Sequence, residues 1–256
     1  MRETALVTGA SSGIGRAFSQ VLAEHGYDLI LTARREDALE RIAVQAVSRG
    51  VEVEVYPADL TDPDAVSSLE RLIAERCPDF FVNNAGVGRF GRFAELSREN
   101  PRLMIDVDVL AYTRLLHATA ASMAGRGTGR ILNVASVASF QPGPLLSVYY
   151  AAKVFNLRLS EGIAEELRGT GVTVTALCPG PTRSAFHEAS GMNVNEAGSA
   201  SMPDPLEVAR FGYRMAMRGK RVAVHGARFR VATFLERFLP RRVLTAGVYA
   251  LQRRRL

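Results

Sequence analysis

Short runs of apolar, β-branched residues alternate along this chain with longer amphipathic segments, and no other feature limits its fold as strongly. The short runs predict strands at residues 4–8, 28–33, 51–56, 80–83, 129–135, 172–177 and 221–225. The segments between them predict helices at residues 13–25, 36–49, 62–76, 100–123, 148–168, 205–218 and 227–238. Because strands that alternate with helices build a parallel sheet with helices on both faces, we expect one doubly wound α/β domain with seven strands.

The composition agrees with one globular domain, since 256 residues, 47% of them apolar, suffice for a large core. No stretch approaches the roughly 18 apolar residues that span a bilayer. Residues 1–8 also lack the regions of a secretory signal, so we expect a cytoplasmic protein. Cys77 and Cys178 form no CxxC pair or ligand cluster, which predicts free buried thiols and no metal site.

The formal net charge of +6 comes from arginines that are scattered except near the C-terminus, where Arg241, Arg242 and residues 253–255 concentrate them. The sequence carries no signature of a DNA- or RNA-binding module, so we expect no nucleic-acid partner. An excess of arginine is better interpreted as solubility and as attraction for an anionic cofactor.

A glycine-rich turn follows the first predicted strand and leads into a helix, with the spacing G-x-x-x-G-x-G. A backbone that turns tightly and approaches a pyrophosphate needs glycine, and the helix N-terminus then faces the phosphates. A tight turn that binds nothing is the alternative. The candidate cofactor-binding residues here are Gly9, Ser11, Ser12, Gly13, Ile14 and Gly15.

The end of the second strand indicates which nucleotide would bind. A site for NAD normally places an acidic residue there to hold the ribose 2′-hydroxyl. Here Arg34 and Arg35 follow the strand, and the guanidinium of Arg34 suits a 2′-phosphate. A solvated arginine pair at a helix start is the alternative, and we favour NADP(H).

Two further turns are candidates for the adenine half of the site. Asp59 and Leu60 follow the third strand, where the carboxylate would accept a hydrogen bond from the adenine amino group, unless Asp59 caps the next helix. Asp62 can fill that capping role instead. The fourth strand ends in Asn83, and the turn after it holds three candidates: Asn84, Ala85 and Gly86.

Tyr149 and Lys153 lie four residues apart in a predicted helix, and therefore on one face of it. A phenol with a pKa near 10 is a poor acid–base group at neutral pH. A neighbouring ammonium would lower the pKa of Tyr149 and let it exchange a proton with a carbonyl or alcohol oxygen. Tyr150 has no lysine four residues on and is expected to pack.

A serine is the candidate donor to the substrate oxygen. Ser136 ends the fifth strand and precedes Tyr149 by thirteen positions. Ser139 is the alternative, and we prefer Ser136.

In this order and spacing, the motifs resemble the compact, NADP-preferring branch of the short-chain dehydrogenase/reductase (SDR) superfamily from residue 4 to about residue 226. The resemblance implies a Rossmann-like fold, NADP(H) as cofactor and Ser136, Tyr149 and Lys153 as catalytic residues. It implies a homodimer or homotetramer through the helices at 100–123 and 149–168. It also implies cofactor contacts from the glycine-rich turn, from Asn84, Tyr149 and Lys153, and from Pro179, Gly180 and Thr182.

One position departs from the family pattern. Asp108 stands where the family usually has an asparagine that kinks a helix and helps to hold a water near the lysine. If the backbone carbonyl holds that water, Asp108 serves nearly as well as asparagine. If the side chain matters, a carboxylate there would strengthen the positive charge on Lys153 and shift the pH optimum upward. We therefore expect Asp108 to modify catalysis rather than abolish it.

The function that follows is an NADP(H)-dependent oxidoreductase that interconverts a small hydrophobic ketone or aldehyde and its alcohol, with Tyr149 as general acid–base group and with carbonyl reduction as the favoured direction. A non-catalytic NADP-binding sensor is the alternative, and only Asp108 favours it. Apolar residues are expected to line the substrate pocket, and residues 183–203 are expected to form a mobile lid over it. The apolar lining residues are Phe90, Phe93, Phe140, Leu145, Phe186 and Met192.

The tail at 227–256 is expected to be helical and basic, with a helix that Pro240 stops. Its apolar stripe consists of Phe229, Ala232, Phe234, Leu235, Phe238 and Leu239. Packing on the core or on a partner subunit is the favoured interpretation, and peripheral membrane contact is the alternative.

Overall fold

Parallel strands form one seven-stranded sheet in the computed structural model, which describes residues 2–193 and 200–255. The strands are β1 (Thr4–Thr8), β2 (Asp28–Ala33), β3 (Val53–Pro57), β4 (Phe80–Asn83), β5 (Gly129–Val134), β6 (Val172–Cys178) and β7 (Val222–Val224). Their order is β3-β2-β1-β4-β5-β6-β7. The strand order reverses between β1 and β4, and ligands bind at such a switch point. The predicted Rossmann-like single domain is confirmed.

Helices cover both faces of this sheet. They are α1 (Gly13–Glu24), α2 (Glu36–Val47), α3 (Pro63–Arg76), α4 (Glu99–Ile105), α5 (Tyr112–Arg126), α6 (Ser147–Glu166), α7 (Phe186–Ala189), α8 (Pro205–Met217), α9 (Ala227–Leu235) and α10 (Arg241–Gln252). The two-residue period of a strand explains the two layers. Ala5 and Val7 join the core under α1, α2 and α8, whereas Leu6 joins the core under α3, α5 and α6.

The helix predicted at residues 100–123 is interrupted. A π-helical segment, Asp106–Ala111, joins α4 to α5 and carries the buried Asp108. A π-helical turn holds an extra residue and occurs frequently at functional sites. Apolar periodicity does not distinguish one widened turn from a regular helix, so the sequence predicted a single element.

The C-terminal tail contains two helices, α9 and α10, where the sequence predicted only the one at 227–238. As predicted, a helical stretch that starts with α9 ends before Pro240, through a short 3₁₀ turn at Glu236–Phe238. Pro240 then stands at the N-cap of α10, where its missing N–H costs nothing. Packing of the whole apolar stripe on the domain's own core is wrong, because Phe234, Leu235, Phe238 and Leu239 are exposed.

The predicted lid at 183–203 is only partly described. It begins with the short helix α7, and residues 194–199 lie outside the described residues. The two cysteines are free as expected, although Cys77 is only partly buried.

Candidate active site

A cleft of about 580 Å³ lies at the carboxyl ends of the strands, beside the switch between β1 and β4. It brings together residues that are far apart in the sequence. The predicted site residues that line it are Gly9, Ser11, Ser12, Gly13, Ile14, Arg34, Asp59, Leu60, Asn84, Ala85, Gly86, Ser136, Tyr149, Lys153, Pro179, Gly180 and Thr182. The other two, Gly15 and Asp108, are buried behind its wall.

The glycine-rich turn between β1 and α1 has a backbone that favours glycine. Gly9 has φ +65° and Gly13 has φ +54°. A Cβ on Gly15 would overlap the carbonyl oxygen of Gly9, so the helix could not approach the turn. Ser12 at the N-cap makes no side-chain capping bond, which leaves the first N–H groups of α1 available to a phosphate.

Asn84 holds this turn from the neighbouring strand. Its Nδ2 donates to the Thr8 carbonyl oxygen at 2.9 Å and to the Gly9 carbonyl oxygen at 3.4 Å. The backbone N–H groups of Asn84 and Ala85 both donate to Thr8 Oγ1, at 2.9 and 3.0 Å. The ends of β1 and β4 are thereby locked together, and the Asn84 amide shapes the turn.

Two arginines place positive charge in the part of the cleft that borders the glycine-rich turn. Arg34 is exposed beside it, and Arg35 Nη2 donates to Ser11 Oγ at 3.4 Å. Asp62, and not Asp59, caps α3 by accepting from the Asp64 N–H. Asp59 is therefore not used as the cap of that helix.

Tyr149 and Ser136 lie close together in the part of the cleft away from the glycine-rich turn. Burial, and after it the Asp108 carboxylate, hold the pKa of Tyr149 above its ordinary value, although a hydrogen bond with Ser136 lowers it. The pKa of Tyr149 is thus raised overall and not lowered as expected. The Lys153 Nζ lies 5.7 Å from the centre of the Tyr149 ring, and the carboxylate of Asp108 compensates its charge.

Lys153 is a buried lysine, 4% exposed, that still lines the cleft. Its Nζ donates to the Val134 carbonyl oxygen at 3.2 Å and lies 3.6 Å from Asp108 Oδ1. Ser139, the alternative to Ser136, lies behind the cleft and donates to the Lys153 carbonyl oxygen at 2.6 Å. Ser136 is the serine that faces Tyr149.

Asp108 reaches Lys153 from the π-helical segment. The Val87 N–H donates to its carboxylate, at 3.1 Å to Oδ2. Burial raises the pKa of Asp108 to about 6, against the opposing effects of Lys153 and of Val87. Gly86 makes room for this pair, because a Cβ there would stand 2.6 Å from Asp108 Oδ1 and 3.2 Å from Lys153 Nζ.

Most of the chain matches a known family. A family model described as short chain dehydrogenase matches residues 3–194. The chain belongs to the short-chain dehydrogenase family. The predicted membership is confirmed.

Two similar proteins carry the name oxidoreductase. The probable oxidoreductase EphD of Mycobacterium tuberculosis is 34% identical over 177 residues, which are 68% of this chain and 30% of EphD. The chain thus spans less than a third of that relative's length. Oxidoreductase UcpA of Salmonella typhimurium is 31% identical over 233 residues, which are 84% of this chain and 87% of UcpA.

Several solved structures superpose closely on this fold. An enzyme of Sphingobium yanoikuyae in complex with NADPH has 32% identity and a TM-score of 0.83, covering 92% of this chain and 94% of that one. A bulky-bulky ketone specific alcohol dehydrogenase of Comamonas testosteroni has 30% identity and a TM-score of 0.80, covering 92% of each. A Burkholderia phymatum enzyme in complex with NAD has 25% identity and a TM-score of 0.83, covering 91% and 92%.

The substrate end of this short-chain dehydrogenase differs from the prediction. Phe186 and Met192 line the cleft as expected, and the Phe186 ring centre lies 5.0 Å from that of Tyr149. Four predicted lining residues are outside the cleft: Phe90, Phe93, Phe140 and Leu145. Phe93 is largely exposed and Phe140 packs against a core cluster, because loop composition does not indicate which way a side chain points.

Several cleft residues of this short-chain dehydrogenase were not predicted. Tyr150, which was expected to pack, lines the cleft, and its hydroxyl accepts a hydrogen bond from Gln252 Nε2 at 3.0 Å. Arg255 also lines it and donates to Met192 Sδ at 3.1 Å. His187 in α7 completes this polar group. No local sequence signal marks Gln252 and Arg255 as cleft residues, because tertiary packing alone brings the C-terminal tail to the cleft.

Replacing Asp108 with asparagine is expected to shift the pH optimum of turnover downward. The carboxylate raises the pKa of Tyr149, so its neutral replacement lets the tyrosine ionise at lower pH. An inflection near pH 6, where Asp108 itself titrates, should also disappear. The measurement is the pH dependence of kcat and kcat/KM for both enzymes, with Asp106→Asn on the same segment as control. Superimposable profiles of the Asp108 variant and the parent would contradict the electrostatic role.

Proposed function

We propose that this chain is an NADP(H)-dependent oxidoreductase that interconverts a hydrophobic ketone or aldehyde and its alcohol. The observation that carries the proposal is the single cleft that joins the glycine-rich turn to Ser136, Tyr149 and Lys153. One half of the cleft suits a dinucleotide, and the other half holds a proton-transfer group. Family membership supports the general reaction, and the residue roles are our assignment.

The residues of the first half fit an anionic dinucleotide. The turn at Gly9 and Gly13 and the uncapped start of α1 would hold the pyrophosphate. Arg34 and Arg35 would contact a 2′-phosphate, and Asp59 would accept from the adenine. The cofactor, when bound, supplies or accepts the hydride. The similar Sphingobium enzyme, which was solved in complex with NADPH, supports this choice.

Tyr149 is proposed as the general acid in the reductive direction. Because burial and Asp108 raise its pKa, the phenol is protonated at neutral pH and can donate its proton to a carbonyl oxygen. Ser136 would hold that oxygen with a second hydrogen bond. Lys153 would stabilise the phenolate that forms, and Asp108 would position Lys153 from behind.

The substrate half of the cleft supports an apolar substrate. Besides Phe186 and Met192, it is lined by Leu103, Val107 and Leu146. The ketone specificity of the similar Comamonas enzyme agrees with this class. The described residues of the predicted lid, 183–193 and 200–203, include the cleft residue Phe186 and are proposed to cover the substrate.

The exposed apolar side chains Ile105, Leu110 and Phe155 support self-association. They lie on or beside α4, the π-helical segment and α6, which are the helices expected to form a dimer or tetramer. Buried contact between copies would remove this apolar surface from water.

NADPH oxidation by the purified protein across a panel of hydrophobic ketones and aldehydes tests the proposal, with NADH in parallel. We expect turnover that is faster with NADPH and that requires a carbonyl substrate. Tight NADPH binding with no turnover on any carbonyl would instead identify a sensor. Absence of NADPH binding would overturn the proposed cofactor site.

A further inference from the structure

An apolar face of the C-terminal tail points into solvent. Val231, Phe234, Leu235 and Phe238 have the spacing i, i+3, i+4, i+7, which aligns them along one side of a helix. All four are exposed, Phe234 by 55% and Phe238 by 72%. Soluble monomers rarely expose a contiguous stripe of this kind without a function for it.

The next helix along the chain also exposes apolar side chains. Val243 and Leu251 lie eight residues apart on α10, on one side of it, and are exposed by 58% and 57%. These two residues, together with the stripe on α9 and the turn after it, are called the tail surface below.

The positive charge of the chain is concentrated around the tail surface. Residues 227–256 contain eight arginines and one acidic residue, Glu236, whereas the rest of the chain contains 24 basic and 25 acidic residues. The tail therefore carries a formal charge of +7 and the rest of the chain −1, which together give the net charge of +6. None of these eight arginines forms an ion pair with a described residue, and all except the partly buried Arg255 are exposed. They are Arg228, Arg230, Arg237, Arg241, Arg242, Arg253, Arg254 and Arg255.

The opposite side of the tail is fixed to the domain. Thr233, Val248 and Gln252 are buried, and the Phe229 ring packs against Gly180. Gln252 is also hydrogen-bonded to Tyr150 in the cleft. The helices therefore already use one side for packing, and the tail surface is the side left over.

We propose that the tail surface binds peripherally to an anionic lipid bilayer. The apolar side chains would enter the boundary between headgroups and acyl chains, while the exposed arginines contact lipid phosphates. Long arginine side chains suit this position because their stems are apolar and their heads are charged. Among the described helices, none is long and apolar enough to cross a membrane, so the contact is with the membrane surface.

Charge favours a bilayer over a second copy of the chain as the occupant. In a two-fold interface the same patch meets itself, which would bring two sets of exposed arginines together with a single acidic residue on each side. Like charges at an interface oppose association. An anionic lipid surface complements the same charges.

Membrane binding also has a consequence for substrate delivery, and this consequence rests on the proposed function. Gln252 and Arg255 carry the tail to the wall of the substrate cleft. A tail bound to the bilayer would therefore hold the cleft on the other side of the same helix, close to apolar carbonyl compounds dissolved in the membrane.

Cosedimentation of the full chain with vesicles tests the membrane contact without measuring turnover. The vesicles are phosphatidylcholine alone and phosphatidylcholine mixed with phosphatidylglycerol. We expect binding to the anionic vesicles that weakens as salt is added. Phe234→Asp/Phe238→Asp should lower the partition coefficient by about tenfold or more, since it places two charges in the apolar face. Arg241→Gln/Arg242→Gln should lower it by about tenfold through lost charge alone.

Matched controls carry the same chemical changes on distant helices. Val44→Asp/Val47→Asp alters two exposed apolar residues of α2, and Arg214→Gln/Arg218→Gln removes two exposed charges at α8. Both should bind vesicles like the parent chain. Failure of the parent to bind anionic vesicles would overturn the proposal. So would equal binding by tail variants and controls, or a tail variant that abolishes an oligomer in analytical ultracentrifugation while the parent ignores vesicles.

Discussion

Replacing Tyr149 with phenylalanine is expected to lower kcat by roughly 10²–10⁴-fold, the contribution of a positioned general acid. The change removes one hydroxyl from a partly buried ring that also contacts Phe186, so the packing of the ring is kept. NADPH affinity should stay close to that of the parent, since the proposed phosphate and adenine contacts lie at the other end of the cleft. Steady-state kinetics together with NADPH fluorescence titration separate the two effects.

The adjacent tyrosine provides a matched control. Tyr150 also lines the cleft, but its hydroxyl is bonded to Gln252 and no lysine lies four residues on. Tyr150→Phe should change kcat by less than about tenfold, the loss of a single neutral hydrogen bond. If the two variants lose activity equally, or if Tyr149→Phe retains most of it, Tyr149 is not the general acid.

Replacing Arg34 with alanine is expected to raise KM for NADPH by roughly 10–100-fold while leaving KM for NADH nearly unchanged. The loss of a charge-assisted bond between a guanidinium and a phosphate accounts for an effect of this size. NADH has no 2′-phosphate, so its binding does not depend on this bond. Arg34→Ala/Arg35→Ala should enlarge the effect, because Arg35 lies on Ser11 at the same end of the cleft. The ratio of kcat/KM for the two cofactors measures the preference directly.

An exposed arginine outside the cleft serves as the control for charge. Arg41 on α2 pairs with Asp37 four residues away, and its side chain is 67% exposed. Arg41→Ala should leave the cofactor preference as it is. A parent that uses NADH as well as NADPH, or an Arg34 variant that weakens both cofactors to the same extent, would contradict the assignment of a 2′-phosphate site.

The elements that the sequence predicted best are those with local causes. The bounds of β1, β2 and β4 coincide with the prediction, because short apolar runs between turn residues mark a buried parallel strand. The glycine-rich turn was also predicted, since the positive φ of Gly9 and Gly13 is a local demand for glycine. Motif order along an alternating chain was sufficient to predict which strand ends meet.

The pKa of Tyr149 shows where local reasoning failed. Spacing placed Lys153 beside it, and the expected effect of the ammonium was a lower pKa. The structure adds burial and the Asp108 carboxylate, which lies 41 positions before Tyr149 in the sequence and reaches the site through a π-helical turn. Burial and compensation of charge depend on everything packed around a group, so residue spacing does not report them.

The sequence by itself determined the doubly wound fold, the family and the motif residues that meet at the switch point, because strand periodicity, turn chemistry and motif order are local properties. Only the tertiary structure decided that the C-terminal tail reaches the cleft through Gln252 and Arg255. It alone decided which side of α9 packs and which side, with Phe234 and Phe238, stays exposed. The physical reason is that an amphipathic pattern states which residues are apolar, whereas long-range packing decides what covers them.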